Sequence, residues 1–350
     1  MICCIVPTYK ARSTVCNVVR NAAKYVDLII VVDDACPDQS GALVQEQFLD
    51  NEAVIVIRHP FNRGVGGAMK TGIAMALDLG ATVIIKLDAD DQMNADYMPV
   101  FAELFETESG LEYIKGNRFI DVNLMKVMPK ARLFGNSLLS LLVKFSSGYW
   151  NVIDPTNGYI AFRRNTLTQI PWEQLPERYF FEIHTLCEMG LKKARIAEID
   201  MPAQYGIEKS SLSIARAMLE FPPKLLKLWL KRVLLQYFLF DVNLGSLYLV
   251  FGIILTAGAV LFGGYEWVTS YLTNTPRTTG AVMLVVLPFL MGFQLLLNAL
   301  MHDVQFSPKT TKVFVDTNVS NPTTTTHSTS HDPSPARNAT LAFGQLPRKK

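Results

Sequence analysis

At 350 residues the chain is long enough for one large α/β domain with appendages, and a formal net charge of only +2 argues against a nucleic-acid-binding surface. Its five cysteines (Cys3, Cys4, Cys16, Cys36 and Cys187) are odd in number and lack C-x-x-C spacing. They fit reduced thiols in a cytosolic compartment better than a disulfide framework or a zinc site. The opening MICCIVPTYK has no basic region ahead of a cleavable apolar segment, so no signal peptide is expected.

Residues 1–215 read as alternating strands and helices. An apolar run at Ile2 to Val6 precedes a helix from about Ser13 to Tyr25. A second strand, Leu28 to Val32, stops at Asp33 and Asp34. A helix over Asp38 to Leu49, a strand over Val54 to Ile57 and a helix over Gly66 to Leu79 lead to a strand that begins at Val83 and closes at Lys86 to Asp88. This rhythm predicts an α/β fold with a doubly wound, mostly parallel sheet, in which ligands collect at the carboxyl ends of strands. Asp33 with Asp34, and Asp88 with Asp90, both fall at such ends.

The chain then changes character. Residues 216–241 contain KLLKLWLKRVLLQY, with Lys224, Lys227 and Lys231 on one helical face, as in a helix lying in a membrane surface. Within 242–301, Val242 to Gly264 and Thr278 to Met301 carry no charged residue. Each exceeds the ~20 residues a bilayer-spanning helix needs. Basic residues flank this pair (Lys224, Lys227, Lys231 and Arg232 before it, Lys309, Lys312 and Lys349 after it), which predicts that the catalytic domain and both termini are cytoplasmic. The segment 302–350, rich in Thr, Ser, Asn and Pro, is expected to be a disordered tail.

The string KLDADDQM, Lys86 to Met93, carries the strongest chemical signal. In an extended chain Asp88, Asp90 and Gln92 share one face and Asp91 points off it. Two carboxylates and an amide oxygen suit Mg²⁺ or Mn²⁺, and such an ion can neutralise a departing diphosphate. A polar strand-end turn with solvated acids is the alternative. The glycine stretch NRGVGGAMKT, Asn62 to Thr71, is neither a P-loop nor a dinucleotide fingerprint, because Met69 stands where each needs glycine. Its glycines, Gly66 among them, suit a close approach of helix to sheet and ligand, or simple helix-start punctuation.

VPTYK, VVDDACPDQSG, the NRGVGGA stretch and LDADDQ together resemble family 2 glycosyltransferases of the GT-A fold. Further on, KGNRF (Lys115 to Phe119), KARLFGNS (Lys130 to Ser137) and DPTNGYIAFRR (Asp154 to Arg164) resemble the branch that glycosylates polyprenyl and dolichyl phosphates. The resemblance implies that Pro7, Thr8, Tyr9, Asp33, Asp34, Gly66 and Asp88 line the donor pocket. It also implies that Asp88, Asp90 and Gln92 hold the metal, and that Arg118 and Arg132 face the acceptor phosphate. The branch often has an R-x-x-G-x-S-K segment where this chain reads YGIEKSSLS, so Lys209 would stand in for a phosphate-binding arginine, opposed by Glu208.

The implied function is a membrane-anchored, inverting, metal-dependent transfer of a hexose from a nucleotide-sugar to a polyprenyl (undecaprenyl or dolichyl) phosphate. Its expected location is the membrane, in a bacterium the inner one. The alternative is transfer to a sugar hydroxyl on a lipid-diphosphate carrier during cell-surface polysaccharide assembly. That reaction needs a carboxylate base, for which Asp154 and Glu182 are candidates, although Asp154 equally suits a turn-capping role. Expected partners are the nucleotide-sugar, the lipid and the membrane, with no nucleic acid; homo-oligomerisation is left open.

Overall fold

The computed structural model describes residues 1–118, 130–201, 214–316 and 323–328. Among these residues nine strands form one sheet in the order β3-β2-β1-β4-β6-β5-β7-β8-β9. The first four are β1 (Ile2–Thr8), β2 (Leu28–Asp33), β3 (Val54–Arg58) and β4 (Val83–Lys86), all parallel. They are connected by α1 (Val15–Ala22), α2 (Ser40–Gln47) and α3 (Val65–Asp78). Cys3 and Ile5 of β1 enter one core while Cys4 and Val6 enter another, as side-chain alternation requires when helices cover both sheet faces. The doubly wound reading holds for this half, with β4 ending at Lys86 rather than Asp88.

Beyond α4 (Met98–Thr107) come β5 (Leu111–Asn117), α5 (Lys130–Ser147), β6 (Ile160–Arg163), α6 (Phe181–Leu191) and β7 (Arg195–Asp200). Strand β6 runs antiparallel between β4 and β5, and β7 returns parallel to β5. The tail departs from expectation. Thr310–Asp316 forms β8, parallel to β7, and Thr323–Ser328 forms β9, antiparallel to β8. Within the Thr/Ser/Pro-rich tail, TTKVFVD is a local run of β-branched and aromatic residues with sheet-forming character, which the composition of the whole segment obscures.

The chain divides into two compact units, Met1–Leu228 with the segment from Pro308 onward, and Trp229–Ser307. The helix α7 (Ile214–Leu234) buries Phe221, Leu225 and Leu228 in the core of the first unit. Lys224, Leu226, Lys227, Leu230, Lys231 and Leu234 remain exposed, an outward face that mixes lysine and leucine.

The second unit holds α8 (Leu244–Thr273) and α9 (Thr279–Gln305), both long and apolar enough to cross a membrane. Asn243 and Ser246 form a capping box at the start of α8, and the Thr278 hydroxyl accepts from the Ala281 N–H at the start of α9. The helices approach closely at small residues, since a Cβ on Gly292 would lie 2.6 Å from the Thr256 backbone nitrogen. Near the ends of this pair the Arg232 guanidinium forks onto Asp303 (2.8 and 2.9 Å), and the Tyr237 hydroxyl donates to the same carboxylate at 2.8 Å.

Candidate active site

The carboxyl ends of β1 and β2 lie side by side, with Thr8 in register with Asp33. Pro7 and Thr8 are held in the strand, and Thr8 is buried, its hydroxyl bonded to the Val6 carbonyl. Tyr9 just beyond them is exposed. Asp33 and Asp34 are both buried, and each carboxylate is engaged by backbone N–H groups. Asp33 accepts from Cys36 at 2.7 Å and Gly41 at 3.0 Å, and a Cβ on Gly41 would meet its Oδ2 at 2.3 Å. Asp34 accepts from Arg63 at 2.8 Å and Gly64 at 2.6 Å, and lies 2.7 Å from His59 Nδ1. The other ring nitrogen of His59 is 2.8 Å from the Thr71 hydroxyl. The two acids therefore shape the loops that open α2 and α3.

Gly64 adopts φ +87°, and a Cβ on Gly66 would sit 2.2 Å from the Pro176 carbonyl. Gly67 N–H donates to the Glu177 carbonyl at 2.9 Å. The glycine stretch thus brings the start of α3 against the 176–178 backbone, and Gly72 lets the helix lie on Ile5 of β1.

At the end of β4, Lys86 is 1% exposed and its ammonium donates to Asp88 Oδ1 at 2.5 Å and to the Gly158 carbonyl at 3.2 Å. Glu182, at the start of α6, is 3.3 Å from the same nitrogen. Burial opposes the charge on Lys86, but Asp88 and Glu182 beside it raise its pKa above the ordinary lysine value. Two acids far apart in sequence thus meet at one buried cation. Gly158 makes this possible, because a Cβ there would lie 2.6 Å from Lys86 Nζ and 2.9 Å from Asp88 Oδ2.

Asp88 Oδ2 carries no hydrogen bond among the described residues, while Asp90 Oδ1 accepts from the Gln92 N–H at 3.2 Å. Asp91 takes a left-handed φ of 59° and accepts from the Asn17 side chain at 2.7 Å, so it points toward α1 and away from Lys86. Among the described residues no three His, Cys, Asp or Glu side chains come together as a metal cluster. Residues 88–92 form a turn past the end of β4, not the extended chain that would put Asp88, Asp90 and Gln92 on one face, and the donors this turn carries are two carboxylates and the Gln92 amide. These hard oxygens, with one carboxylate oxygen of Asp88 uncommitted, fit Mg²⁺ or Mn²⁺.

On the other side of Gly158, Asp154 is fully buried. Its carboxylate receives Nε and Nη2 of Arg118 at 2.8 and 3.2 Å, the Arg118 N–H at 3.3 Å and the Thr156 hydroxyl at 3.1 Å. Burial alone would raise its pKa, but the Arg118 guanidinium holds it below the usual carboxylate range. As a candidate base it is therefore poorly suited to accept a proton at neutral pH, and its contacts fit the turn-holding alternative. Arg118 keeps 43% of its side chain exposed above this anchor. The side chain of Arg132 and the whole of Lys209 lie outside the described residues.

A row of charges that sequence reading passed over runs beneath these groups. Sheet register aligns Lys86 and Lys115 with Ile160 between them, then Lys115 with Glu198, then Glu198 with Lys312. Burial brings Lys115 down to about 8, against the opposing pull of Asp154 and Glu182. Its ammonium bonds the Asn157 carbonyl. Glu198 is fully buried and receives the backbone N–H groups of Ile153 and Asp154, each at 2.9 Å. The one available sequence signal was a charge within or ending each apolar run: VIIK, YIKG and IAEID.

Residues 3–170 match the family model Glycosyl transferase family 2. The UDP-N-acetylglucosamine–dolichyl-phosphate N-acetylglucosaminyltransferase of Methanococcus voltae is 30% identical over 218 residues, spanning 59% of this chain and 86% of that protein. The chain belongs to glycosyl transferase family 2. The undecaprenyl-phosphate mannosyltransferase of Micrococcus luteus is 27% identical over 57% of this chain and 82% of its own length. These relatives belong to the branch that the motifs resemble. Among solved structures, glucosyl-3-phosphoglycerate synthase from Mycobacterium tuberculosis in complex with Mg²⁺ and UDP superposes with a TM-score of 0.50 at 17% identity, over 66% of this chain and 79% of that one. That likeness establishes a shared fold. The family 2 match takes in Asp88, Arg118 and Asp154 and ends before Glu182, Glu198 and Lys312.

Proposed function

We propose that this family 2 enzyme is a membrane-anchored, inverting transferase that moves a hexose from a nucleotide-sugar to the phosphate of a polyprenyl lipid. The observation that carries the proposal is the match to a dolichyl-phosphate glycosyltransferase over 86% of that relative. Two apolar helices of spanning length agree with a lipid acceptor.

In this reading Pro7, Thr8 and Tyr9 border the nucleotide. Asp33 and Asp34 fix the loops around it and retain acceptor capacity for base or ribose, with Gly66 leaving room at the start of α3. Asp88, Asp90 and Gln92 would hold Mg²⁺ or Mn²⁺, which when bound supplies positive charge for the departing diphosphate. Lys86 and Glu182 keep the Asp88 side chain in one place. Arg118, with Arg132 and Lys209, receives the acceptor phosphate, whose multi-oxygen anion suits a guanidinium fork. That phosphate is already an anionic nucleophile near neutral pH. An in-line attack on the anomeric carbon then needs orientation more than a base, and this agrees with Asp154 being committed to Arg118.

The exposed lysines and leucines of α7 suit an anionic membrane surface. The strands β7 and β8 precede and follow the two long helices yet pair with each other, which supports a hairpin whose two ends open on the same side, the cytoplasmic one by the basic flanks. A cysteine at Ser270, in a background without the native cysteines, should then react with an impermeant reagent outside intact cells. Labelling at Ser330 instead would reverse the topology.

The acceptor is tested by giving the purified full-length enzyme nucleotide-sugars with either polyprenyl phosphate or a polyprenyl-diphosphate-linked sugar, and weighing the products by mass spectrometry. Product from the monophosphate is expected. Product from the diphosphate-linked sugar alone would move the function to the sugar-hydroxyl alternative, with Glu182 as the base to pursue.

A further inference from the structure

We infer that Lys312 and Glu198 are positioning residues for the acceptor-phosphate side of the site, so that the strand following the apolar hairpin is a working part of the transferase. The inference rests on the reading of Arg118 as a phosphate-binding residue. It begins with register: Lys312 on β8 stands directly beside Glu198 on β7, and Glu198 beside Lys115 on β5.

Glu198 has no exposed surface, and its side chain has two tasks. One carboxylate oxygen receives the backbone N–H groups of Ile153 and Asp154. The other receives the Lys312 ammonium and shares the Ile153 N–H at 3.2 Å. A fully buried carboxylate persists as an anion only where charge and hydrogen bonds compensate it. Lys115 adjoins the pair in register, but its ammonium is directed to the Asn157 carbonyl, so the direct ionic contact to Glu198 comes from Lys312.

The next link is Asp154 itself. Its backbone is fixed by Glu198, and its carboxylate receives the fork of Arg118. The guanidinium is thus referred through Asp154 and Glu198 to a residue that lies beyond the hairpin in sequence. Without the Lys312 ammonium, Glu198 loses its direct cation and its carboxylate is free to turn from its place on β7. Such a turn weakens its hold on the 153–154 backbone and lets Arg118 shift. The donor end is set separately, by Asp33 and Asp34 on backbone N–H groups at the far side of β4. A charge lost at Lys312 should therefore be felt by the acceptor and not by the donor.

The test uses the full-length protein in detergent or lipid vesicles, with Lys312→Met, Lys312→Gln and Lys312→Arg. Lys312→Gln removes the charge but keeps a donor, so it preserves the comparison should Lys312→Met not fold. In steady-state assays the charge-removing variants should raise KM for polyprenyl phosphate about tenfold, the scale of one charge-assisted contact, and leave KM for the nucleotide-sugar within about twofold. Lys312→Arg should restore most of the loss. Equal changes in both KM values, or no change in the lipid KM, would overturn the inference. A second readout needs no turnover: amide hydrogen exchange over the peptide holding Ile153 and Asp154 should quicken in Lys312→Gln and return toward the parent rate in Lys312→Arg. Unchanged exchange would equally overturn it. If the parent enzyme does not use polyprenyl phosphate, the functional reading fails, while the exchange result still decides the positioning role.

Discussion

In the half of the sheet formed by β3, β2 and β1, buried carboxylates rest on backbone N–H groups, joined at Asp34 by the His59 ring, whereas in the half formed by β6, β5, β7 and β8 they add ammonium and guanidinium partners to their backbone ones. Asp33 and Asp34 belong to the first kind, and their donors lie in the loops that follow β2 and β3. Asp154 and Glu198 belong to the second, and their cations, Arg118 and Lys312, come from distant parts of the chain. Backbone donors carry no net charge, so the first half tolerates the loss of a carboxylate charge if an acceptor oxygen remains. The second half depends on charge balance inside a poorly solvated layer, where removing one partner strands the other. Lys86 stands at the seam, on β4, with Asp88 from its own strand end and Glu182 from α6.

The largest effect is expected at that seam. Asp90→Asn should lower kcat/KM by roughly a hundredfold or more, the scale of losing one preorganised electrostatic group at a reacting centre. Asp91→Asn, on a side chain turned to Asn17, should stay within about threefold. Rates measured across a Mg²⁺ titration would separate them, and equal rates for the parent and Asp90→Asn would remove the metal assignment.

The comparison between the halves is sharpened by a matched pair of variants. Asp154→Asn should cost about 2–3 kcal/mol in thermal unfolding of the catalytic unit, less than a fully buried pair because Arg118 is partly solvated. Asp33→Asn keeps an oxygen for one of the two loop N–H groups and sets its amide nitrogen against the other, and should cost about 1 kcal/mol, the low end for one unpaired buried donor. Similar losses would break the distinction.

A pH series carries the smallest change but fixes the sign. The native carboxyl of Asp154 titrates below its unfolded value, so its contribution to stability is complete above an unfolded carboxyl pKa of about 3.9 and is lost as pH falls through the lowered native value. The penalty of Asp154→Asn should therefore be constant from about pH 5 to 7 and shrink in stronger acid. A penalty that grows on acidification would contradict the Arg118 pairing.

The same contrast explains what the sequence disclosed. Apolar runs broken by helical spacing revealed β1 to β4 and their parallel order, and acids at strand ends marked the candidate site. Those signals are local: each strand and each D-D or D-x-D string lies within a few consecutive residues. The row formed by Lys86, Lys115, Glu198 and Lys312 is not local, because it exists only once β4, β6, β5, β7 and β8 are in register. Each member looked like an ordinary charge near a strand end. Asp154 could be recognised from its motif, yet its commitment to Arg118 depended on how the turn after Val152 meets β5. The strand β8 was missed because a seven-residue run with five sheet-forming residues was averaged into a tail of threonine, serine and proline.

The place of β8 in the sheet also bears on the order in which the molecule can be made. A ribosome completes β1 to β7 well before it reaches Thr310, and both long apolar helices must leave the exit tunnel in between. Until then Glu198 lies at the edge of an unfinished sheet, without its lysine. A nascent chain whose two apolar helices are still being made therefore lacks the Lys312 partner of Glu198, and β7 gains its neighbour β8 only after both helices have been synthesised.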